Sequence, residues 1–142
     1  MKKAFVLGAG LGTRLRPLTD QWPKPLIPVH HRPLMVRAFE HLRSAGVGEF
    51  LVNTHHLPES YHQAFPDGTW EGCPVHFRHE PVLLETGGGL ANVADLLQDS
   101  PFIVYNGDIL TDVPLQPAWE AHLAQGNLVT LLLRSDAPVR NV

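Results

Sequence analysis

Apolar residues along this chain alternate between short runs and helical spacing, and that alternation sets the fold class. Ala4 to Leu7 is a short apolar run closed by Gly8, the pattern of a buried strand. Between Leu11 and His31, Pro17, Pro23, Pro25 and Pro28 exclude a long helix, so a structured loop is predicted. Pro33 opens a helix that turns Leu34, Val36, Phe39, Leu42 and Ala45 towards one face, and Gly46 stops it. Phe50 to Val52 reads as a second strand. Pro58 to Phe65 reads as a short helix ended by the turn Pro66-Asp67-Gly68. Val75 to His79 alternates apolar and polar, which predicts a third strand with one wetter face.

Gly87 to Leu97 has helical spacing, with Leu90, Val93, Ala94 and Leu97 on one side. Phe102 to Tyr105 is a fourth strand, followed by the polar elbow Asn106-Gly107-Asp108. Asp112 is placed to cap a helix from Pro114 to Ala124, and Leu128 to Leu133 is a fifth strand, the most apolar of all. Strands alternating with helices predict an α/β fold, a Rossmann-like, doubly wound, mainly parallel sheet with ligand loops at the strand C-termini. No helix closes the sheet after the fifth strand, where the chain runs into Ser135-Asp136-Ala137-Pro138. An uncovered strand implies a sheet that is incomplete at its C-terminal end.

Composition narrows the class. The 142 residues make one domain, 1–142, and 44% hydrophobic content excludes a disordered tail. No apolar run approaches the ~18 residues of a membrane span, and glycines follow Val6-Leu7 too soon for a signal peptide. With Cys73 alone there is no internal disulfide, so a cytoplasmic protein is expected. Charge is uneven: residues 1–43 hold eight Lys or Arg against Asp20 and Glu40, within a net −3. That points to a local anion site. The basic residues are interleaved with Gly and Pro rather than aromatics, so no nucleic-acid partner is expected.

The chemistry begins at Gly8-Ala9-Gly10-Leu11-Gly12-Thr13-Arg14, directly after the first strand. Alternating glycines let a backbone approach a phosphate chain with its N–H groups forward. The spacing is not the dinucleotide fingerprint, because Thr13 stands where a glycine belongs and Asn53 replaces the acid after the second strand. It is not a P-loop either, since no Gly-Lys-Ser/Thr follows. Arg14, Arg16 and Lys24 follow on a proline-stiffened loop, a pre-organised set of cations for a polyphosphate. The pairs His30-His31 and His55-His56 read as surface residues, because adjacent side chains point apart and no Cys-x-x-Cys accompanies them.

Gly10-Leu11-Gly12-Thr13-Arg14-Leu15-Arg16-Pro17-Leu18-Thr19 and Pro23-Lys24-Pro25-Leu26-Ile27-Pro28-Val29 closely resemble the signature of sugar-1-phosphate nucleotidyltransferases. The resemblance continues in order through Asn53-Thr54-His55-His56-Leu57, Leu84-Glu85-Thr86-Gly87-Gly88-Gly89 and Asn106-Gly107-Asp108. One departure is Leu7-Gly8-Ala9-Gly10, where the family usually reads Leu-Ala-Ala-Gly. The later blocks look most like the branch of N-acetylmuramate-1-phosphate uridylyltransferases and mannose-1-phosphate guanylyltransferases.

The resemblance implies transfer of NMP from an NTP to a sugar 1-phosphate, with pyrophosphate released and Mg²⁺ as cofactor. In those terms Leu7, Gly8, Ala9, Gly10, Gly12 and Thr13 wrap the nucleotide, and Arg14 holds the departing phosphates. Lys24 contacts the α-phosphate or the sugar phosphate. Glu80, Gly87 and Gly88 lie where the family contacts the base, Asn106 touches the sugar and Asp108 ligates Mg²⁺. UTP is the expected nucleotide and GTP the next. The family's second metal-binding Asp comes from a later strand, with Asp136 placed nearer the sugar. The 142 residues are therefore expected to be the N-terminal, NTP-binding portion of a longer enzyme, turning over poorly alone. Two rivals are a non-catalytic nucleotide-sensing relative and a dinucleotide-dependent oxidoreductase, the latter disfavoured by the fingerprint spacing.

Overall fold

The computed structural model describes residues 2–97 and 100–133. β1 (Lys2–Leu7) buries Ala4, Phe5 and Val6 completely, as its unbroken apolar run requires. The proline-rich segment that follows is ordered locally. It holds 3-10 turns at Thr13–Leu15 and Lys24–Leu26 around the one-turn helix α1 (Leu18–Gln21). A small antiparallel hairpin, β2 (Pro28–Val29) and β3 (Arg32–Pro33), turns through His30 and His31, both at positive φ. A two-residue hairpin turn needs that conformation to match the strand twist.

α2 (Leu34–Ser44) starts directly after Pro33, and Gly46 at φ 85 ends it. Its buried residues are Met35, Ala38, Phe39 and Leu42, one turn-by-turn stripe. Leu34 and Val36, predicted to face inward, are only half-buried because the stripe centres on Met35. β4 (Val47–Thr54) extends the predicted second strand at both ends. Then come α3 (Pro58–Ala64), the short β5 (Thr69–Trp70) and β6 (Cys73–His79). The predicted helix at Gly87 to Leu97 is two pieces, α4 (Glu85–Asn92) and α5 (Ala94–Leu97), parted at Val93. Gly87, Gly88, Gly89 and Asn92 weaken the helix there, and Val93, at φ −109, leaves the helical conformation while staying buried. β7 (Phe102–Asn106) completes the sheet.

The strand order is β5-β6-β4-β1-β7, parallel throughout except for β5. The chain therefore lays β4 and β6 outward on one side of β1, then crosses back to place β7 on the other. That reversal is a topological switch point, where the loops leaving β1 and β7 diverge and open a crevice. Register sorts the side chains into two layers. Ala4, Phe50 and Val75 are paired across the sheet on one face, where α2 stacks Phe39 on Phe50 at 4.3 Å between ring centroids. Phe65 and Trp70 complete that aromatic cluster. On the other face Phe5 and Leu51 pack against Val93 and Leu97. Each fully buried side chain of this size contributes about 1.5–3 kcal/mol over leaving it in water.

The chain divides into two compact units, Met1–Asp112 and Val113–Val142. The second unit has one regular element among its described residues, α6 (Gln116–Gln125). Its N-cap is Leu115, with no side-chain cap, so the predicted capping by Asp112 is not formed. The predicted fifth strand is also corrected: Leu128 to Leu133 forms no strand, and Leu128 is 99% exposed. An apolar run becomes a strand only beside a ladder partner, and α6 offers its unit no strand edge. Asp136 lies outside the described residues.

Candidate active site

Every wall of the crevice at the switch point belongs to the first unit. Leu7, Gly8, Ala9 and Gly10 supply the β1 side, Asn106 and Asp108 the β7 side. Lys24 and Pro25 come from the second 3-10 turn. Leu83, Glu85 and Thr86 approach from the start of α4, and Asn53 comes from the end of β4. The strand register makes the first two groups neighbours, since Leu7 is paired with Asn106. Gly107 N–H donates to Leu7 O at 3.0 Å, and a β-carbon at Gly107 would stand 2.8 Å from that oxygen. The elbow between Asn106 and Asp108 must therefore be glycine.

Lys24 Nζ forms an ion pair with Asp108 Oδ2 on the pocket wall, both side chains about one-third exposed. A pair so close to water adds at most about 1 kcal/mol to stability. Its interest is chemical. A point cation and a hard oxygen donor face each other beside a glycine backbone.

The glycine loop itself is held from beneath. Gly8 N–H donates to Asn53 Oδ1 at 2.8 Å, and Tyr61 Oη–H donates to Gly8 O at 2.8 Å. Burial pushes the Tyr61 phenol well above the ordinary tyrosine range, so it stays a donor through the alkaline range. Asn53 Nδ2 donates in turn to Glu80 Oε1 at 2.8 Å, while Glu80 Oε2 accepts from Leu84 N–H at 3.1 Å. A β-carbon on Gly8 would meet Asn53 O at 2.7 Å, so a close backbone approach requires this glycine.

This network changes the reading of several predicted residues. Glu80 is fully buried and both carboxyl oxygens are taken by protein donors, so it does not present a free acceptor to a base. Its side chain ties Asn53 to the entry of α4. Gly87 and Gly88 sit within α4 and do not line the crevice, whereas Thr86 lines it from inside the helix. The cap position is Leu84, without a side-chain bond. Leu7, Gly8, Ala9, Gly10, Lys24, Asn106 and Asp108 are brought together as predicted. Gly12, at φ 63, packs on Thr19 and Lys24 behind the wall, and Thr13 and Arg14 lie exposed on the first 3-10 turn.

Asn53, quoted in the sequence only within a family-like block and where an acid was absent, was given no role, yet it lines the crevice. Sequence reasoning also missed Glu85, which adopts φ 58 on the pocket wall, a conformation uncommon outside glycine. His55 and His56 are likewise not idle surface residues, since both are half-buried and hydrogen-bonded. The glycine run of α4 can be dissected. A β-carbon at Gly89 would lie 2.8 Å from both Asn53 Nδ2 and Glu80 Oε1, while nothing lies within 4 Å of one at Gly87. Gly89→Ala is expected to lose about 1–3 kcal/mol in denaturant unfolding, and Gly87→Ala to gain about 0.5–1 kcal/mol. Equal midpoints for the two variants would contradict the packing described.

Among the described residues no group of three or more His, Cys, Asp or Glu is gathered as a metal cluster, and no helix is long and apolar enough to cross a membrane. A mainly parallel sheet with a glycine-floored, lysine-bearing crevice at its switch point defines a Rossmann-like α/β protein. The chain belongs to the nucleotidyl transferase family, whose pattern matches residues 3–141. It is 41% identical over 119 residues to an N-acetylmuramate alpha-1-phosphate uridylyltransferase of Neisseria meningitidis, covering 83% of this chain and 52% of that protein. It is 36% identical over 130 residues to a mannose-1-phosphate guanylyltransferase of Mycobacterium tuberculosis, covering 92% and 36%. Its fold superposes on HddC from Yersinia pseudotuberculosis complexed with GMP-PN, at TM-score 0.76 and 28% identity, over 87% of this chain and 55% of that one. A UDP-glucose pyrophosphorylase complexed with UDP-glucose shares the fold at TM-score 0.74 and 22% identity, over 89% and 54%. The chain thus spans about a third to a half of the length of these curated relatives.

Proposed function

We propose that this chain carries the nucleotide-binding part of a sugar-1-phosphate nucleotidyltransferase. A phosphate oxygen of the sugar 1-phosphate attacks the α-phosphorus of an NTP in line. The bond from that phosphorus to the oxygen bridging the β-phosphate breaks, and pyrophosphate leaves. The nucleophile is already an anion, so the protein need not remove a proton. Its task is to position two anions and neutralise charge.

One observation carries this reading: Lys24 and Asp108 face each other in a glycine-floored crevice at the switch point. In it, the N–H groups of Gly8 to Gly10 and the Lys24 ammonium receive phosphate oxygens, and Arg14 reaches the departing β- and γ-phosphates from the rim. Asn106 takes a sugar hydroxyl. The base lies along Leu83, Glu85 and Thr86, with Gly87 and Gly88 in the helix behind them and Glu80 supporting that wall from below. Asp108 fits Mg²⁺ as a hard oxygen donor and would hold the ion on the β7 side of the crevice. When bound, the ion supplies charge neutralisation on the phosphates.

UTP is proposed as the nucleotide and GTP as the runner-up, in line with the uridylyl- and guanylyltransferases among the relatives. A thermal-shift panel of UTP, GTP, CTP, dTTP and ATP, with and without Mg²⁺, tests the reading. UTP with Mg²⁺ is expected to raise the melting midpoint most. Stabilisation by GTP alone would reverse the order, and none by any nucleotide would overturn the assignment.

A further inference from the structure

The adjacent pair His55-His56 has no part in the reaction just proposed, yet its two hydrogen bonds run to opposite sides of the crevice. His55 Nδ1–H donates to the Glu80 carbonyl at 2.7 Å, and His56 Nε2–H donates to the Thr19 carbonyl at 2.6 Å. A carbonyl can only accept, so each of these two ring nitrogens must be the protonated one. The two rings diverge at the end of β4, where Leu57 at φ 49 forms a rigid corner before α3.

Each carbonyl leads to a different wall. Thr19 is buried, its hydroxyl donates to Gly12 O at 3.0 Å, and its methyl group fills the space where a β-carbon of Gly12 would be. Gly12 in turn packs on the Cβ of Lys24. His56 therefore braces the segment that carries Arg14 and Lys24. Glu80 anchors Leu84 N–H and Asn53, and so sets where Leu83, Glu85 and Thr86 enter the pocket. His55 therefore braces the other wall.

We propose that His55 and His56 are positioning residues that bear mainly on different walls: His56 on the phosphate-binding side, His55 on the base-selecting side. The proposal rests on the nucleotide-binding reading above. Both donors leave the chain at the end of β4, where Glu80 N–H also donates to the Thr54 carbonyl at 2.7 Å. Since each donor is a specific ring nitrogen, an amide side chain of the right length replaces one and not the other. Asn places its amide nitrogen near Nδ1, and Gln places its own near Nε2.

The test is calorimetric titration of the wild-type chain and of His55→Asn, His55→Gln, His56→Asn and His56→Gln. The ligands are UTP, GTP and inorganic tripolyphosphate, each with Mg²⁺. Tripolyphosphate reports the phosphate side alone, and the UTP-to-GTP ratio reports the base side. His56→Asn is expected to weaken all three ligands together by about three- to tenfold, and His56→Gln to restore them. His55→Gln is expected to change the UTP-to-GTP ratio by about threefold or more with tripolyphosphate weakened less than either nucleotide, and His55→Asn to restore the ratio. If Asn and Gln behave alike at either position, or if both positions move every ligand in the same proportion, the inference is overturned. A wild-type chain that binds none of the three overturns the nucleotide-binding reading itself, which separates the two failures.

Discussion

Replacing Lys24 by alanine is expected to weaken nucleotide binding by about ten- to a hundredfold while leaving the melting midpoint within a degree or two. The first figure is the loss of one charge-assisted hydrogen bond to phosphate, about 1.5–3 kcal/mol. The second follows from exposure: Lys24 and Asp108 are each about one-third exposed, so their ion pair does little for the fold. Removing Lys24 also leaves the Asp108 carboxyl facing the incoming phosphates without its cation, which adds like-charge repulsion to the lost contact. Asp108→Asn then serves as the counter-test. Without Mg²⁺ it is expected to bind nucleotide more tightly than wild type, because a repelling charge is gone. With Mg²⁺ it is expected to gain less than wild type from the ion. Arg14→Ala, on the exposed first 3-10 turn, is expected to have the smaller effect on affinity. Titration calorimetry at fixed ionic strength reads all three, and unchanged affinity in Lys24→Ala would remove the phosphate site from this crevice.

Glu80→Ala is expected to be the most destabilising single change in the site, by about 2–5 kcal/mol, with a melting midpoint lower by roughly 10 °C or more. The truncation strips the acceptor from Asn53 Nδ2 and from Leu84 N–H, and Glu80 is fully buried, so water does not replace it freely. Each buried donor left without a partner costs about 1–3 kcal/mol. Against a total stability of about 5–15 kcal/mol, the variant sits near the edge of folding. Glu80→Gln distinguishes this account from simple loss of volume. Its carbonyl keeps one of the two acceptors and its amide turns a donor towards the other N–H, so an intermediate loss is expected. If Gln is as well tolerated as Glu in urea unfolding, the two-acceptor role described for Glu80 is wrong.

Much of the site was legible in the chain because its signals are local. The run Gly8-Ala9-Gly10 after an apolar strand, with Lys24 on a proline-stiffened loop, announced a phosphate-type pocket, and the structure brings those residues together. The polar elbow Asn106-Gly107-Asp108 after a strand was legible in the same way, while ligand roles for Asn106 and Asp108 came only from the family resemblance. What failed was orientation. Glu80 and a glycine-rich run at the head of α4 looked like ligand contacts, but Glu80 points into the interior. Gly89 exists to make room for the Asn53–Glu80 hydrogen bond. The two histidines of β4's end looked like surface residues because nothing in their neighbourhood along the chain names Thr19 or Glu80 as a partner.

The sequence by itself determined the alternation of strands and helices, the class of sheet, the glycine loop and the cations that follow it. Each of these depends on residue type at spacings of two to four positions, where propensity and periodicity act. Tertiary structure alone decided which polar groups meet. Gly8 is held by Asn53 and Tyr61, 45 and 53 residues away, and Asn53 by Glu80, 27 residues further on. Lys24 finds Asp108 only because the chain crosses back over β1 to lay down β7. The same dependence explains the failed strand. Leu128 to Leu133 has the composition of a buried strand, but composition supplies side chains and not a hydrogen-bonding edge. A strand is a relation between two segments, and only the folded chain states whether the second one is there.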